Sequence, residues 1–92
     1  MEKFNTYKGY PLVRCGNQLY YGYMSEPYVI WIQILETKKI DGEDITSKVR
    51  VIQLDTHEDD PMKKIVRRSD RDGGLYEALD TAKIWLDKAL SN

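Results

Sequence analysis

Up to residue 55 the apolar residues come in short alternating runs, and from residue 75 they recur at helical spacing. The longest β-prone run is Tyr28 to Lys38, YVIWIQILETK. Its Ile30, Ile32 and Ile34 fall on one side of a strand, and Val29, Trp31 and Leu35 fall on the other, with Gln33 among them. A strand apolar on both sides predicts a central place in its sheet. Two shorter runs precede it, Tyr10 to Cys15 (YPLVRC) and Gln18 to Tyr23 (QLYYGY). Gly16-Asn17 between them signals a tight hairpin, because both residue types tolerate positive φ. Met24-Ser25-Glu26-Pro27 predicts the next turn, with the strand starting after Pro27. Asp41-Gly42 predicts a third turn, and Lys48 to Asp55 (KVRVIQLD) is the returning strand.

Closing each turn fixes a register. Val13 then opposes Tyr20, Tyr20 opposes Trp31, and Trp31 opposes Ile52; beside them run Leu19–Ile32 and Ile32–Val51. One face collects Leu12, Leu19, Tyr21, Ile30, Ile32, Ile34, Val49 and Val51. The other collects Val13, Cys15, Tyr20, Val29, Trp31, Leu35, Ile52 and Leu54. A bulge between Ile45 and Ser47 would slip the last pairing by one and exchange the faces.

Leu75 to Leu90 has the spacing of an amphipathic helix, with Leu75, Ala78, Leu79, Ala82, Trp85, Leu86, Ala89 and Leu90 in one stripe. Glu77, Asp80, Thr81, Asp87 and Lys88 lie opposite, as a solvated side. Asp72 or Gly73 is placed to cap it. The predicted fold is α+β: an antiparallel meander of four to five strands, packed on one face by a C-terminal α-helix. Within one domain, 1–92, the reading gives an N-terminal arm over 1–9, the meander over 10–55, a charged loop and edge segment over 56–73, and the helix over 74–91. The fifth strand, where it is counted, covers Lys64 to Arg68. Phe4 and Tyr7 mark the arm as a segment able to dock.

Composition narrows the class. Hydrophobic residues make up 41% and charged residues 32%, the balance of a folded soluble domain. A net charge of −1 gives no field that would draw in DNA or an acidic membrane surface. The lone cysteine, Cys15, cannot form an internal disulfide. The opening MEKFNTYKG has no signal-peptide core, and no apolar run reaches spanning length. A reducing cytoplasm is the expected setting.

KGYPLVRCGNQLYYG (Lys8 to Gly22), YVIWIQIL and LDTAKIWL (Leu79 to Leu86) resemble a group of short bacterial proteins of unknown function, over most of the chain. The resemblance carries no catalytic motif. It implies a small bacterial cytoplasmic protein with no assigned activity, and it supplies no functional residue.

Candidate chemistry is sparse. His57 stands among Asp55, Glu58, Asp59 and Asp60, and Asp55 and His57 would share a strand face as metal ligands or an acid–base pair. One nitrogen donor is thin for a metal, and the group reads more simply as a solvated acidic loop. Cys15 has no histidine near it in sequence and reads as a structural or interface thiol. Gly73-Gly74 before a helix offers free N–H groups to an anion, but no longer phosphate signature surrounds it. Lys63, Lys64, Arg67, Arg68 and Arg71 form a basic cluster that, with exposed tyrosines, suits single-stranded nucleic acid. A solvated edge strand is the plainer reading. No cofactor and no enzymatic activity are expected. The helix covers one face, which leaves Val13, Tyr20, Val29, Trp31, Ile52 and Leu54 as an uncovered apolar patch. The expected function is therefore an interaction module, pairing with another protein or, most simply, with a second copy in a homodimer. Nucleic-acid binding is the alternative.

Overall fold

The computed structural model of the protein describes residues 5–91. Its elements in chain order are β1 (Asn5–Tyr7), β2 (Tyr10–Cys15), β3 (Gln18–Tyr21), β4 (Tyr28–Ile40), β5 (Glu43–Asp55), α1 (Pro61–Lys64), β6 (Ile65–Asp72) and α2 (Leu75–Leu90). The fold is α+β: a six-stranded antiparallel meander in the order β1-β2-β3-β4-β5-β6, with α2 packed against β4 and β5.

The expected registers hold. Val13 pairs with Tyr20, Tyr20 with Trp31, and Trp31 with Ile52. The long β4–β5 hairpin turns at Asp41-Gly42, with φ of 52° and 83°. Both central residues are positive, as a type I′ turn requires. An irregularity does occur near Ser47, but a second one at Leu35 on the partner strand cancels it. Ile34 pairs with Val49, Glu36 with Lys48, and Thr37 with Thr46. The faces before and after are therefore unexchanged. Leu35 has no partner within this irregularity and stands 40% exposed. The Ser47 hydroxyl donates to the Glu36 carbonyl across this double irregularity, at 3.2 Å.

Several elements differ from expectation: β3 stops at Tyr21 rather than Tyr23, and β5 starts at Glu43, five residues before the expected Lys48. The 1–9 arm contains β1, which pairs with β2 through a Lys8–Gly9 turn. Lys8 takes φ of 48°, a conformation its residue type seldom signals. Phe4 lies outside the described residues. The edge segment begins one residue later than Lys64 and runs to Asp72, while Lys64 closes the short α1. Asp60 caps α1 by accepting from the Met62 amide at 3.0 Å, and Pro61 takes the first turn, where its missing N–H is harmless.

The core lies between the sheet and α2. Leu19, Tyr21, Ile30, Ile32, Ile34, Val49 and Val51 from the sheet meet Ala78, Leu79, Ala82, Trp85 and Leu86 from the helix. The small Ala78 and Ala82 let the helix approach closely. Leu12, Leu75 and Leu90 flank this cluster partly buried. Arg67, opposite Gln53 on the same side, lays its guanidinium 4.2 Å from the centre of the Trp85 ring. Asp80 and Asp87, expected to face solvent alone, instead accept hydrogen bonds from Tyr7, Lys8 and Tyr10.

Candidate functional site

Strand alternation arranges the side of the sheet away from α2 in three rows. The middle row is Val13, Tyr20, Trp31, Ile52 and Arg68, carried by five adjacent strands. To one side lie Pro11, Gly22, Val29, Leu54 and Ile65; to the other lie Cys15, Gln18, Gln33, Arg50 and Asp70. The face thus grades from apolar to polar along the strands.

Its six expected interface residues are together on this side but unequally accessible. Tyr20 is 38% exposed and stacks nearly parallel on Trp31, with ring centres 6.2 Å apart and planes 3° from parallel. Val13, Trp31 and Leu54 are half-buried. Val29 and Ile52, by contrast, are only 2% and 3% exposed, although they belong to no helix-facing cluster. The Trp31 indole N–H is enclosed and donates to no acceptor among the described residues. A buried donor left unpaired costs on the order of 1–3 kcal/mol.

At the β2–β3 end the face hollows into a concavity of about 450 Å³, lined by Pro11, Val13, Tyr20, Gly22, Met24 and Val29 among others. Met24 stands at its rim, 70% exposed, with Tyr23 at 47% beside it. Sequence reading missed this hollow. It lies where the chain leaves β3 for the turn toward Pro27, in which the Glu26 amide donates to the Tyr23 carbonyl at 3.0 Å.

The other candidate residues are placed as follows. The Asp55 carboxylate accepts from the His57 backbone amide at 2.9 Å, so it closes its own loop. Among the described residues no group of three or more His, Cys, Asp or Glu is placed to hold a metal ion. Cys15 is exposed at the end of β2, opposite Gln18. The Glu77 carboxylate, in the first turn of α2, lies beside Gly73, where a Cβ would be 2.6 Å from it, and puts negative charge next to the expected anion seat. The basic cluster is divided by the pleat. Arg67 and Arg71 take the helix side, Arg68 takes the open side, and Lys63 and Lys64 sit in α1. Arg50 is held by Asp70 through two bonds of 2.7 and 3.1 Å, and that guanidinium pulls the Asp70 carboxyl below the usual carboxylate range. Among the described residues no helix is long and apolar enough to cross a membrane. No family model matches the chain, and neither a curated protein nor a solved structure shows significant similarity to it.

Proposed function

We propose that the protein is a small non-enzymatic interaction module that joins two copies through the side of the sheet turned away from α2. The observation that carries this reading is the aromatic end of that face: a Tyr20–Trp31 stack beside a hollow of about 450 Å³ with Met24 at its rim. A pocket and a protruding apolar side chain side by side suit a two-fold contact, since each copy offers both halves of the fit. Aromatic residues and methionine are the types enriched at interface centres. The net charge of −1 adds little repulsion between copies. Val29 and Ile52 are already nearly closed to solvent, so the contact falls to Tyr20, Met24, Trp31, Val13 and Leu54. We extend the proposal to a bacterial cytoplasm, where a single exposed thiol at Cys15 stays reduced.

The same stack could hold a base of single-stranded nucleic acid. Self-association is preferred because Arg67 turns to the helix side and packs on Trp85, and Arg50 is paired with Asp70, which leaves Arg68 as the one arginine of the basic cluster on the open side. Sedimentation velocity at tens of micromolar tests the reading. A dimer that Tyr20→Asp and Met24→Asp convert to a folded monomer is the expected result. A strict monomer over the whole concentration range removes it.

A further inference from the structure

The strand β1 is three residues long and pairs only with β2. A ladder that short does not hold an edge strand by itself. What fastens it lies across the molecule on α2. The Tyr7 hydroxyl donates to Asp80 Oδ1 at 2.7 Å, and Lys8 Nζ donates to the same oxygen at 2.9 Å. The Tyr10 hydroxyl donates to Asp87 Oδ1 at 2.7 Å, and the other oxygen of Asp87 accepts from Lys83. Positions 80 and 87 are two helical turns apart, about 10 Å along one side of α2. Between the two clasps Tyr21 is fully enclosed. The rings of Tyr7 and Tyr10 meet it edge-on, with centres 6.1 and 5.5 Å away, and its hydroxyl donates to the Tyr7 carbonyl at 2.6 Å.

We propose that Asn5–Tyr10 is a strap over this end of the core, closed by the charges of Asp80 and Asp87 and opened when those charges are lost. The groups around the clasps are Tyr7 and Lys8 at Asp80, and Lys83 and Tyr10 at Asp87, with Glu26 and Tyr23 flanking Tyr10. Hydrogen bonds from Lys8 and then Tyr7 hold the Asp80 carboxyl below its usual range, and Lys83 and then Tyr10 do the same for Asp87. A carboxylate lowered in the closed state favours closure above its ordinary value near ~3.9. That contribution fades as pH falls through the lowered value. Acid therefore opens the strap, and salt weakens the exposed Lys8–Asp80 pair. Opening also bares Tyr21 and moves Thr6, which lines the concavity of the open face. Acid sensitivity of dimerisation follows from that last step, and this consequence rests on the self-association reading.

Amide hydrogen exchange on the full chain tests the strap. Asp80→Asn and Asp87→Asn keep an oxygen acceptor and remove the charge. Each is expected to speed exchange of the β1 and Tyr10 amides about two- to fivefold at neutral pH, the range of an exposed charge pair. The amides of β4 and β5 should keep their rates. Lys8→Gln should reproduce the Asp80→Asn effect. Acidifying the parent protein should give the same selective loss, corrected for intrinsic exchange, and the double aspartate variant should show no further loss. Uniform change across the sheet, or none in β1, overturns the proposal. Sedimentation of the same variants separates the two readings: selective opening without any change in association keeps the strap and removes its coupling to the face.

Discussion

Gly22 is where helix, sheet and concavity meet, and Gly22→Ala measures how tightly they are fitted. Its φ is 119°, in the region that favours glycine. Its amide donates to the Pro11 carbonyl at 3.0 Å, so the backbone cannot relax to negative φ without breaking that bond. A Cβ there would sit 3.1 Å from Leu86 Cδ2 and 3.4 Å from Val29 Cγ1. The conformation alone costs roughly 1–3 kcal/mol. Crowding against Leu86, whose tip can turn aside, adds on the order of 1 kcal/mol. Together the loss is about 2–4 kcal/mol, against a total of about 5–15 kcal/mol for a domain of this kind. In melting temperature that is a fall of roughly 10–30 °C. Urea titration followed by far-UV circular dichroism gives the value. Gly9→Ala is the control, because its φ is 91° while nothing lies within 4 Å of a Cβ. It carries the conformational cost without the contact. A double-mutant cycle with Leu86→Ala should recover a coupling of about 1 kcal/mol. If Gly22→Ala matches Gly9→Ala and shows no coupling to Leu86, the close approach of α2 at this point is wrong.

Arg67→Ala should cost about 0.5–2 kcal/mol by removing the guanidinium from the Trp85 ring. In a Trp31→Phe background it should also shift tryptophan emission to the red, and unchanged emission would place the arginine elsewhere. Asp70 contributes stability only while it is ionised, because Arg50 lowers its carboxyl in the folded state. Stability of the parent protein should therefore hold above pH ~4 and decline below it. Asp70→Asn should flatten that acid limb measured by urea titration, and an identical pH profile would refute the pairing.

Much of the sheet was legible in the chain because its information is local. Gly16-Asn17, Pro27 and Asp41-Gly42 each fix a turn, each turn fixes a register, and period-two alternation then sorts every side chain to a face. The bulge weighed between Ile45 and Ser47 does occur at Ser47, its counterpart at Leu35 was not legible, and the register survived because the two offset one another. β1 was missed since NTYKG has neither alternation nor a glycine at the first turn position; Lys8 supplies the positive φ instead. The bonds from Tyr7 and Tyr10 to α2 span more than seventy residues of sequence, and no spacing rule reaches that far. The candidate face was legible in membership but not in accessibility. Alternation says which way Val29 and Ile52 point; it says nothing of what lies over them.

That distinction decides where the function of the open face can reside. A single 16-residue helix, about 24 Å long, can cover one side of a sheet whose strands are spaced ~4.8 Å apart, and no more. The second apolar side must then be managed by its own residues. The aliphatic positions Val29 and Ile52 are nearly closed to solvent, while Tyr20 and Met24 remain open at 38% and 70%. Burying an already buried valine or isoleucine against a partner gains nothing, since hydrophobic stabilisation follows the area newly removed from water. Truncating Ile52 therefore reports on folding, whereas changing Tyr20 or Met24 reports on association. Were both kinds of substitution to weaken dimerisation equally at constant folding stability, the aliphatic row would have to be accessible after all.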